Sequence, residues 1–216
     1  MLELGLKTLI AYLLGSIMGA LIVGVARGVD IREQGSGNAG GTNALRTQGF
    51  WFAAATVVID VGKGWLAAGW LPGLEIPGIA ADPAVGRGWL AASCAAAAVS
   101  GHVWPLFHEF RGGKGGATLV GALLALAPPV VAVVLAVWFV VVMLTGLVGL
   151  ATMAGAVSVP VAIWVMGPGG RPLLSLAIAV AALIVFAHRS NIGRMNAGTE
   201  PRANRLWLLR PRKSGP

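Results

Sequence analysis

Uncharged apolar runs constrain this chain more than any other feature. The segment from Ala122 to Leu150 contains no charged residue, and neither do the runs LLGSIMGALIVGVA and VSVPVAIWVMG. Of the 216 residues, 56% are hydrophobic and 11% are charged, whereas soluble domains carry roughly a quarter charged residues. Long uncharged apolar segments are what membrane-spanning helices require. The sequence therefore predicts an all-α, polytopic membrane protein.

Polar and Pro/Gly-rich stretches divide the chain into seven predicted membrane helices. Two consecutive prolines, Pro128 and Pro129, should end or turn a helix. The predicted spans are about 5–26, 49–71, 88–107, 117–127, 130–145, 148–166 and 172–187. The segment 117–127 is too short for a hydrocarbon core of roughly 30 Å unless it extends into the polar boundary or is shielded.

Basic residues are distributed unequally between the predicted loops. If the loops 27–46 and 108–116 and the tail lie on one side, that side carries twelve Lys and Arg residues, against Lys7, Arg87 and Arg171 on the other. Cytoplasmic flanks carry the basic excess, so we expect the N-terminus outside and the C-terminus in the cytoplasm. We expect one integral-membrane domain over residues 1–200 and a basic cytoplasmic tail over residues 201–216.

Charge and cysteine content exclude other classes. The net charge of +8 belongs to membrane-flanking loops, so we expect no nucleic-acid partner. Cys94 is the one cysteine of the chain, which excludes an intrachain disulfide and a metal site built on clustered thiols. Its Ala-rich apolar surroundings disfavour the reactive thiolate, so we expect Cys94 to pack.

The first polar motif is GSGNAGGTNALR, residues 35–46. Its G-x-G-x-x-G spacing is that of a dinucleotide-binding turn, but that turn needs a preceding strand and a βαβ unit. Glycines instead let backbone amides converge on an anion, and Thr42 or Asn43 is expected to cap the following helix. Asn43 and Arg46 then share a helical face. A tight capped loop without a binding role is the alternative.

The second motif is GHVWPLFHEFRGGKGGAT, residues 101–118. It is not a Walker motif, because Gly115 stands where Ser or Thr should follow the lysine. Lys114 lies between four glycines before a predicted helix, where amides, helix dipole and ammonium all suit an anionic headgroup. The alternatives are an ordinary basic membrane flank and, for His102, a hydrogen-bonded packing residue.

The third motif is HRSNIGRMNAGTE, residues 188–200. His188 and Asn191 are three residues apart, so they share a helical face, and histidine suits a proton or a phosphate oxygen near neutral pH. Glu200 is either a structural ion-pair partner or a general base.

A charged pair, Asp60 and Lys63, lies three residues apart within the second predicted span. Charges inside a membrane are costly and normally face the bundle interior and pair. A structural clamp between helices and a substrate contact are both open.

Together, the motifs closely resemble those of the PlsY family of bacterial acyl-phosphate:glycerol-3-phosphate acyltransferases. The family patterns GSGNxGATNxxR, GHxxPxFxxFxGGKGVAT and HRxNIxRLxxGxE are matched in order, with Gly41, Gly116 and Met195 as the departures. GSIMGALIV and DVGKG also fit, so the resemblance runs from about Gly15 to Glu200.

One further departure lies in LVGLAT, residues 147–152, where family members often carry serines. Gly149 and Thr152 stand at those positions, so a hydroxyl remains only at Thr152.

The resemblance implies a seven-helix enzyme of the bacterial cytoplasmic (inner) membrane with its active site at the cytoplasmic face. The implied reaction transfers a fatty acyl group from acyl phosphate to the sn-1 hydroxyl of glycerol 3-phosphate, giving lysophosphatidic acid and phosphate. No cofactor and no metal are expected. The expected partners are the two substrates, membrane lipid and the soluble enzyme that makes acyl phosphate.

On this interpretation the glycerol hydroxyl attacks directly, and the site needs cations and amide or hydroxyl donors around phosphates and a carbonyl oxygen. The expected catalytic residues are Ser36, Asn38, Arg46, Lys114, His188 and Asn191. The expected substrate-binding residues are Gly37, Thr42, Asn43, His102, Gly112, Gly113, Gly115, Thr118 and Thr152. The base is open between His188 and a substrate phosphate oxygen.

A membrane transporter of an anionic, phosphate-bearing solute is the main alternative. Small residues and broken helices suit a transporter, but transporters usually show internal repeats and a midplane site. The sequence shows no repeat between its halves, and its polar motifs cluster at one predicted face. A structural lipid-binding protein is a third reading, which leaves the glycine loops unexplained.

Overall fold

The apolar runs fold as helices. The structure, a computed structural model, describes residues 1–209, and within that range it contains helices and turns but no strand. The α-helices of that range are α1 (Leu2–Gly15), α2 (Gly19–Arg27), α3 (Gly41–Gln48), α4 (Phe50–Trp65), α5 (Arg87–Val103), α6 (Gly116–Leu126), α7 (Pro128–Thr145), α8 (Val148–Met166), α9 (Gly170–Ala187) and α10 (Arg189–Asn196). A π-helical stretch, Leu66–Trp70, and a 3₁₀ turn, Leu71–Gly73, lengthen α4. The predicted all-α class is confirmed.

Six helical segments of the described chain are long and apolar enough to cross a membrane. They are Leu2–Arg27, Phe50–Gly73, Arg87–His108, Pro128–Thr145, Val148–Met166 and Gly170–Ala187. The remaining predicted span forms α6, whose 11 residues extend only about 16 Å, roughly half the hydrocarbon thickness. The structure therefore provides six helices of crossing length and one short helix, where the sequence predicts seven spans.

The short helix α6 packs against other helices along much of its surface. It packs against α4, α5, α7 and α9, and its Leu119, Ala122 and Leu123 are buried. Two glycines bring the backbones of α4 and α6 together, because a Cβ on Gly121 would overlap the carbonyl oxygen of Val61 and one on Gly64 would overlap that of Thr118. This packing is the shielding that a helix too short to span a membrane would need inside one.

The first predicted span, 5–26, corresponds to the segment Leu2–Arg27, but its helix is interrupted, which the sequence does not predict. The chain leaves helical geometry between Gly15 and Gly19. The Lys63 ammonium donates to the carbonyls of Gly15 (2.8 Å) and Ile17 (2.6 Å), and Asp60 Oδ1 accepts from the Gly19 amide (3.2 Å). These side chains replace hydrogen bonds that the interrupted helix lacks, and they also pair with each other at 3.0 Å. For Lys63, the contacts therefore favour a structural clamp between helices over a substrate contact.

The entry to the second span also differs from the prediction. The N-cap of α3 is Gly40, which makes no side-chain cap, and Thr42 and Asn43 lie inside the helix, so neither caps it. A further break at Gly49, with φ of 87°, separates α3 from α4. Gly49 can end α3 in this way because glycine adopts a positive φ without steric cost.

Ion pairs connect the chain segments at the end of the bundle opposite the polar motifs. Glu3 Oε1 accepts from Lys7 Nζ (2.7 Å) and from Arg87 (2.7 Å), and Lys7 also donates to the Pro72 carbonyl (2.9 Å). Two of the three basic residues predicted to lie away from the motifs thus meet at one end of the molecule.

Candidate active site

A single cavity of about 550 Å³ gathers side chains from all three polar motifs. The predicted site residues that line it are Ser36, Asn38, Thr42, Asn43, Arg46, Asp60, His102, Lys114, Gly115, Thr152, His188, Asn191 and Glu200. The predicted residues outside its lining are Gly37, Lys63, Gly112, Gly113 and Thr118. Since the motifs come from distant parts of the chain, their meeting agrees with the prediction that their loops share one side.

Three helix N-termini converge on this cavity. The first turns of α3, α6 and α8 contribute Gly41, Gly116 and Gly149, among others, to its wall. Amides of a first helical turn have no acceptor within their own helix, and the helix dipole adds positive potential there. Together with Lys114 and Arg46, these turns make a cationic, amide-rich rim that suits phosphate.

The glycines of the first motif shape the loop that precedes α3. Gly35 and Gly37 have φ values of 57° and 71°, which glycine adopts without strain. The buried Asn43 side chain fixes this loop, accepting from the Ser36 amide (3.0 Å) and donating to the carbonyls of Ile31 (3.1 Å) and Gln34 (2.9 Å). The Asn43 amide is therefore used by the fold, while Arg46 on the same face reaches the cavity.

The lysine loop rests on the end of α5. The Gly113 amide donates to the His102 carbonyl at 3.0 Å. A Cβ on Gly113 would overlap the His102 ring, and one on Gly112 would overlap the His102 carbonyl oxygen. Gly112 and Gly113 thus permit close packing that places Lys114 at the cavity, which explains why they do not line it themselves.

His102 and Thr118 are buried at the back of the site. His102 Nδ1 lies 3.5 Å from Asp60 Oδ1, and neither this nitrogen nor the Thr118 hydroxyl has a hydrogen-bond partner among residues 1–209. His102 and Asp60 also touch the cavity. Thr118 lies behind it on the buried face of α6.

Lys114 is held in a chain of polar contacts. Its ammonium donates to Asn191 Oδ1, Asn191 Nδ2 donates to Glu200 Oε1 (2.7 Å), and Glu200 Oε2 accepts from Arg194 Nε (2.7 Å). Glu200 therefore orients the Asn191 amide so that its oxygen faces the lysine. Burial first, and then the charge of Arg194, lowers the pKa of Lys114 to about 8.

His188 presents one ring nitrogen as an acceptor. Its Nδ1 lies 2.8 Å from the Ile184 carbonyl, and since a carbonyl only accepts, Nδ1 must carry the hydrogen. Burial lowers the pKa of His188 to about 4, so the ring is neutral near pH 7. Nε2 is then unprotonated and able to accept a hydrogen bond from a hydroxyl.

An apolar branch continues from the polar rim. Ala53, Ala54 and Val57 of α4 and Val134, Leu135, Trp138 and Phe139 of α7 line it. The Thr152 hydroxyl donates to the Val148 carbonyl (2.9 Å) and accepts from the Trp138 indole (3.3 Å). Thr152 thereby orients Trp138 in the wall of this branch, whose apolar lining suits a hydrocarbon chain.

Sequence reasoning missed two residues of the site. Arg194 lines the cavity and lies inside the third motif. A basic residue six positions before Glu200 could have indicated an ion pair with that carboxylate. Trp138 lies in an apolar run, where an indole N–H needs a partner, but the sequence does not reveal that this partner is Thr152. Gly149 leaves space for Asn191, because a Cβ there would lie 2.8 Å from Asn191 Nδ2.

Known proteins match the chain along most of its length. The family model described as glycerol-3-phosphate acyltransferase matches residues 6–198. Relatives named glycerol-3-phosphate acyltransferase include one from Bacillus cereus, 41% identical over 200 residues (91% of this chain, 93% of the relative), and one from Synechococcus sp., 39% identical over 212 residues (98% of this chain, 100% of the relative). A third, from Laribacter hongkongensis, is 42% identical over 201 residues (89% of this chain, 92% of the relative).

Solved structures match as well. Crystal structures of PlsY (YgiH), an integral membrane glycerol 3-phosphate acyltransferase, align with a TM-score of 0.80 in both cases. The glycerol 3-phosphate form is 32% identical and covers 92% of this chain and 94% of its own. The lysophosphatidic acid form is 31% identical and covers 94% and 97% respectively.

The fold and the cavity thus define an integral membrane protein whose helical bundle holds, at one end, a cavity rimmed by Lys114, Arg46 and three helix N-termini. The chain belongs to the glycerol-3-phosphate acyltransferase family, as its motifs indicate.

Proposed function

We propose that this protein transfers a fatty acyl group from acyl phosphate to the sn-1 hydroxyl of glycerol 3-phosphate, forming lysophosphatidic acid and phosphate. One observation carries the proposal: the cavity joins a cationic rim of helix N-termini, Lys114 and Arg46 to an apolar branch. Both substrates bear phosphate, and one bears a long hydrocarbon chain. The names and substrate forms of the relatives support the same acceptor and product.

Acyl phosphate suits this site as the donor. It is a mixed anhydride whose phosphate is a good leaving group, so a free hydroxyl can displace it without a covalent enzyme intermediate. The cavity wall offers cations and amides for two phosphates. The acyl chain would lie in the apolar branch beside Trp138 and Phe139, with the reacting carbonyl at the polar rim.

The residues of the rim take distinct roles in this proposal. Lys114 and Arg46 bind the phosphates, and Ser36, Asn38 and the first-turn amides of α3 stabilise the charge that grows on the carbonyl oxygen. Losing one such donor typically costs about 10²–10³ in rate. Asn191 and His188 orient glycerol 3-phosphate so that its hydroxyl meets the carbonyl.

The proton of the hydroxyl goes to a substrate phosphate rather than to histidine. The pKa of His188 is lowered to about 4, whereas a phosphate monoester has its second pKa near 6. The phosphate oxygen is thus the stronger base at neutral pH. His188 Nε2 accepts a hydrogen bond from the other hydroxyl of glycerol 3-phosphate, which orients the molecule and leaves the proton of the attacking hydroxyl to the phosphate.

We place this site at the cytoplasmic face of a bacterial inner membrane. The loops that carry the three motifs and the following tail hold most of the basic residues, which favours the cytoplasmic side. A soluble enzyme that makes acyl phosphate would then deliver its product to the same face.

The proposal is tested with detergent-purified protein supplied with glycerol 3-phosphate and either acyl phosphate or acyl-CoA. Lysophosphatidic acid should form from acyl phosphate only, and Lys114→Ala should form none. Equal transfer from acyl-CoA would refute the donor assignment. No product from either donor, with glycerol 3-phosphate flux across proteoliposomes, would favour the transporter.

A further inference from the structure

The first part of the predicted tail closes the end of α7. The last four carbonyls of a helix have no hydrogen-bond donor within that helix. In α7, the first of these, the Val142 carbonyl, accepts a hydrogen bond from the Gly146 amide (2.7 Å). Donors from the tail bind the other three carbonyls. The Leu208 amide donates to the Met143 carbonyl (2.9 Å), the Trp207 indole to the Leu144 carbonyl (3.1 Å), and the Arg202 guanidinium to the Thr145 carbonyl. We call residues 202–208 the strap.

The strap also covers the turn between α7 and α8. The Ala203 amide donates to the Gly146 carbonyl at 2.8 Å, and the Arg202 guanidinium lies 4.4 Å above the Trp207 ring. Gly146 has φ of 72°, and a Cβ there would lie 3.1 Å from Cβ of Trp207 and 3.2 Å from Cβ of Arg202. The turn and the strap therefore fit tightly together.

This contact joins two walls of the cavity. The strap follows directly after Glu200, which orients Asn191. The turn that it covers leads directly into α8, whose first residues, Val148 and Gly149, line the cavity. Gly149 in turn lies against the Asn191 side chain. The strap thus ties the Asn191–Glu200 wall to the α8 wall from outside, without lining the cavity itself.

We propose that the strap is a positioning element for the glycerol 3-phosphate site, holding the first turn of α8 at its working distance from Asn191. This rests on the proposed function, in which Asn191 orients that substrate. A strap with only a fold role would affect how much protein is active, and hence kcat, but would leave KM unchanged.

The test uses the full chain with Arg202→Ala and Trp207→Phe combined, which removes two of the donors to α7 and keeps an aromatic ring. We expect KM for glycerol 3-phosphate to rise roughly fivefold to tenfold, the loss of one or two hydrogen bonds. Amide hydrogen exchange of segment 145–152 should accelerate. Arg205→Ala, the loss of an exposed basic residue of the same strap, should change neither quantity.

The outcomes separate cleanly. Faster exchange with unchanged KM would overturn the positioning role and leave the strap a fold element, and unchanged exchange would overturn the docking itself. If the parent protein is active and the double variant has the same KM and the same exchange rates, the strap proposal is refuted while the proposed function stands. A parent protein that forms no lysophosphatidic acid refutes the proposed function, and the strap proposal with it.

Discussion

His188 lines the cavity and keeps one ring nitrogen, Nε2, as a hydrogen-bond acceptor. Its Nδ1 is committed to the Ile184 carbonyl, and the lowered pKa of about 4 makes it a poor proton acceptor at neutral pH. We expect His188→Gln to raise KM for glycerol 3-phosphate about tenfold while kcat changes less than about threefold, because orientation is lost but the base is not. Steady-state kinetics on purified protein measures both.

His108→Gln is the matched control, since His108 does not line the cavity, and it should leave both constants unchanged. A hundredfold fall in kcat at constant KM for His188→Gln would instead assign the proton transfer to His188.

The pH profile reports on Lys114. With its pKa lowered to about 8, the lysine is charged below that pH and loses its charge as pH rises through it. The value of kcat/KM, which reflects free enzyme, should therefore fall above about pH 8. Lys114→Arg should move that fall to higher pH at reduced activity, because arginine stays charged. An unshifted fall would show that another group titrates there.

At the scale of elements, the contact between α4 and α6 is a test of close packing. A Cβ on Gly121 would overlap the Val61 carbonyl, whereas one on Gly62 has no atom within 4 Å. We expect Gly121→Ala to lower the free energy of unfolding by about 1–3 kcal/mol, and Gly62→Ala to leave it unchanged or slightly raised. Thermal unfolding in detergent compares them, and equal midpoints would contradict the packing.

Helix existence was predictable from the sequence, and helix interruptions were not. Apolar runs and the Pro128–Pro129 pair place the helices within a few residues, because hydrophobicity and proline geometry act locally. The break after Gly15 depends on Lys63, 48 residues away, and the shape of α6 depends on glycine contacts across helices. Long-range hydrogen bonds and backbone contacts leave no local signature.

The same division holds for the site. Motif residues were predicted because phosphate chemistry selects Gly, Lys, Arg and Asn, and most of them line the cavity. Their individual work was not predictable: Asn43 holds its own loop, Gly112 and Gly113 pack on His102, and Thr152 supports Trp138. The strap contacts were also unforeseen, and residues 210–216 of the predicted tail lie outside the described residues.

For the whole molecule, membrane orientation is the prediction that the charge distribution makes. Exposed Ala81 lies in the loop at the end of the bundle that holds the Glu3 ion pairs, and exposed Ala197 lies just after α10. In a Cys94→Ala background, Ala81→Cys should react with an impermeant thiol reagent from outside intact cells. Ala197→Cys should react only after the cells are opened. The reverse pattern would invert the topology.

The central claim is direct transfer between two phosphate-bearing substrates held in one cavity. Rapid-quench measurement of phosphate release from acyl phosphate tests it most directly, with and without glycerol 3-phosphate. We predict no burst without glycerol 3-phosphate, and one phosphate released for each lysophosphatidic acid formed with it. A stoichiometric burst in the absence of glycerol 3-phosphate would reveal an acyl-enzyme and contradict direct attack.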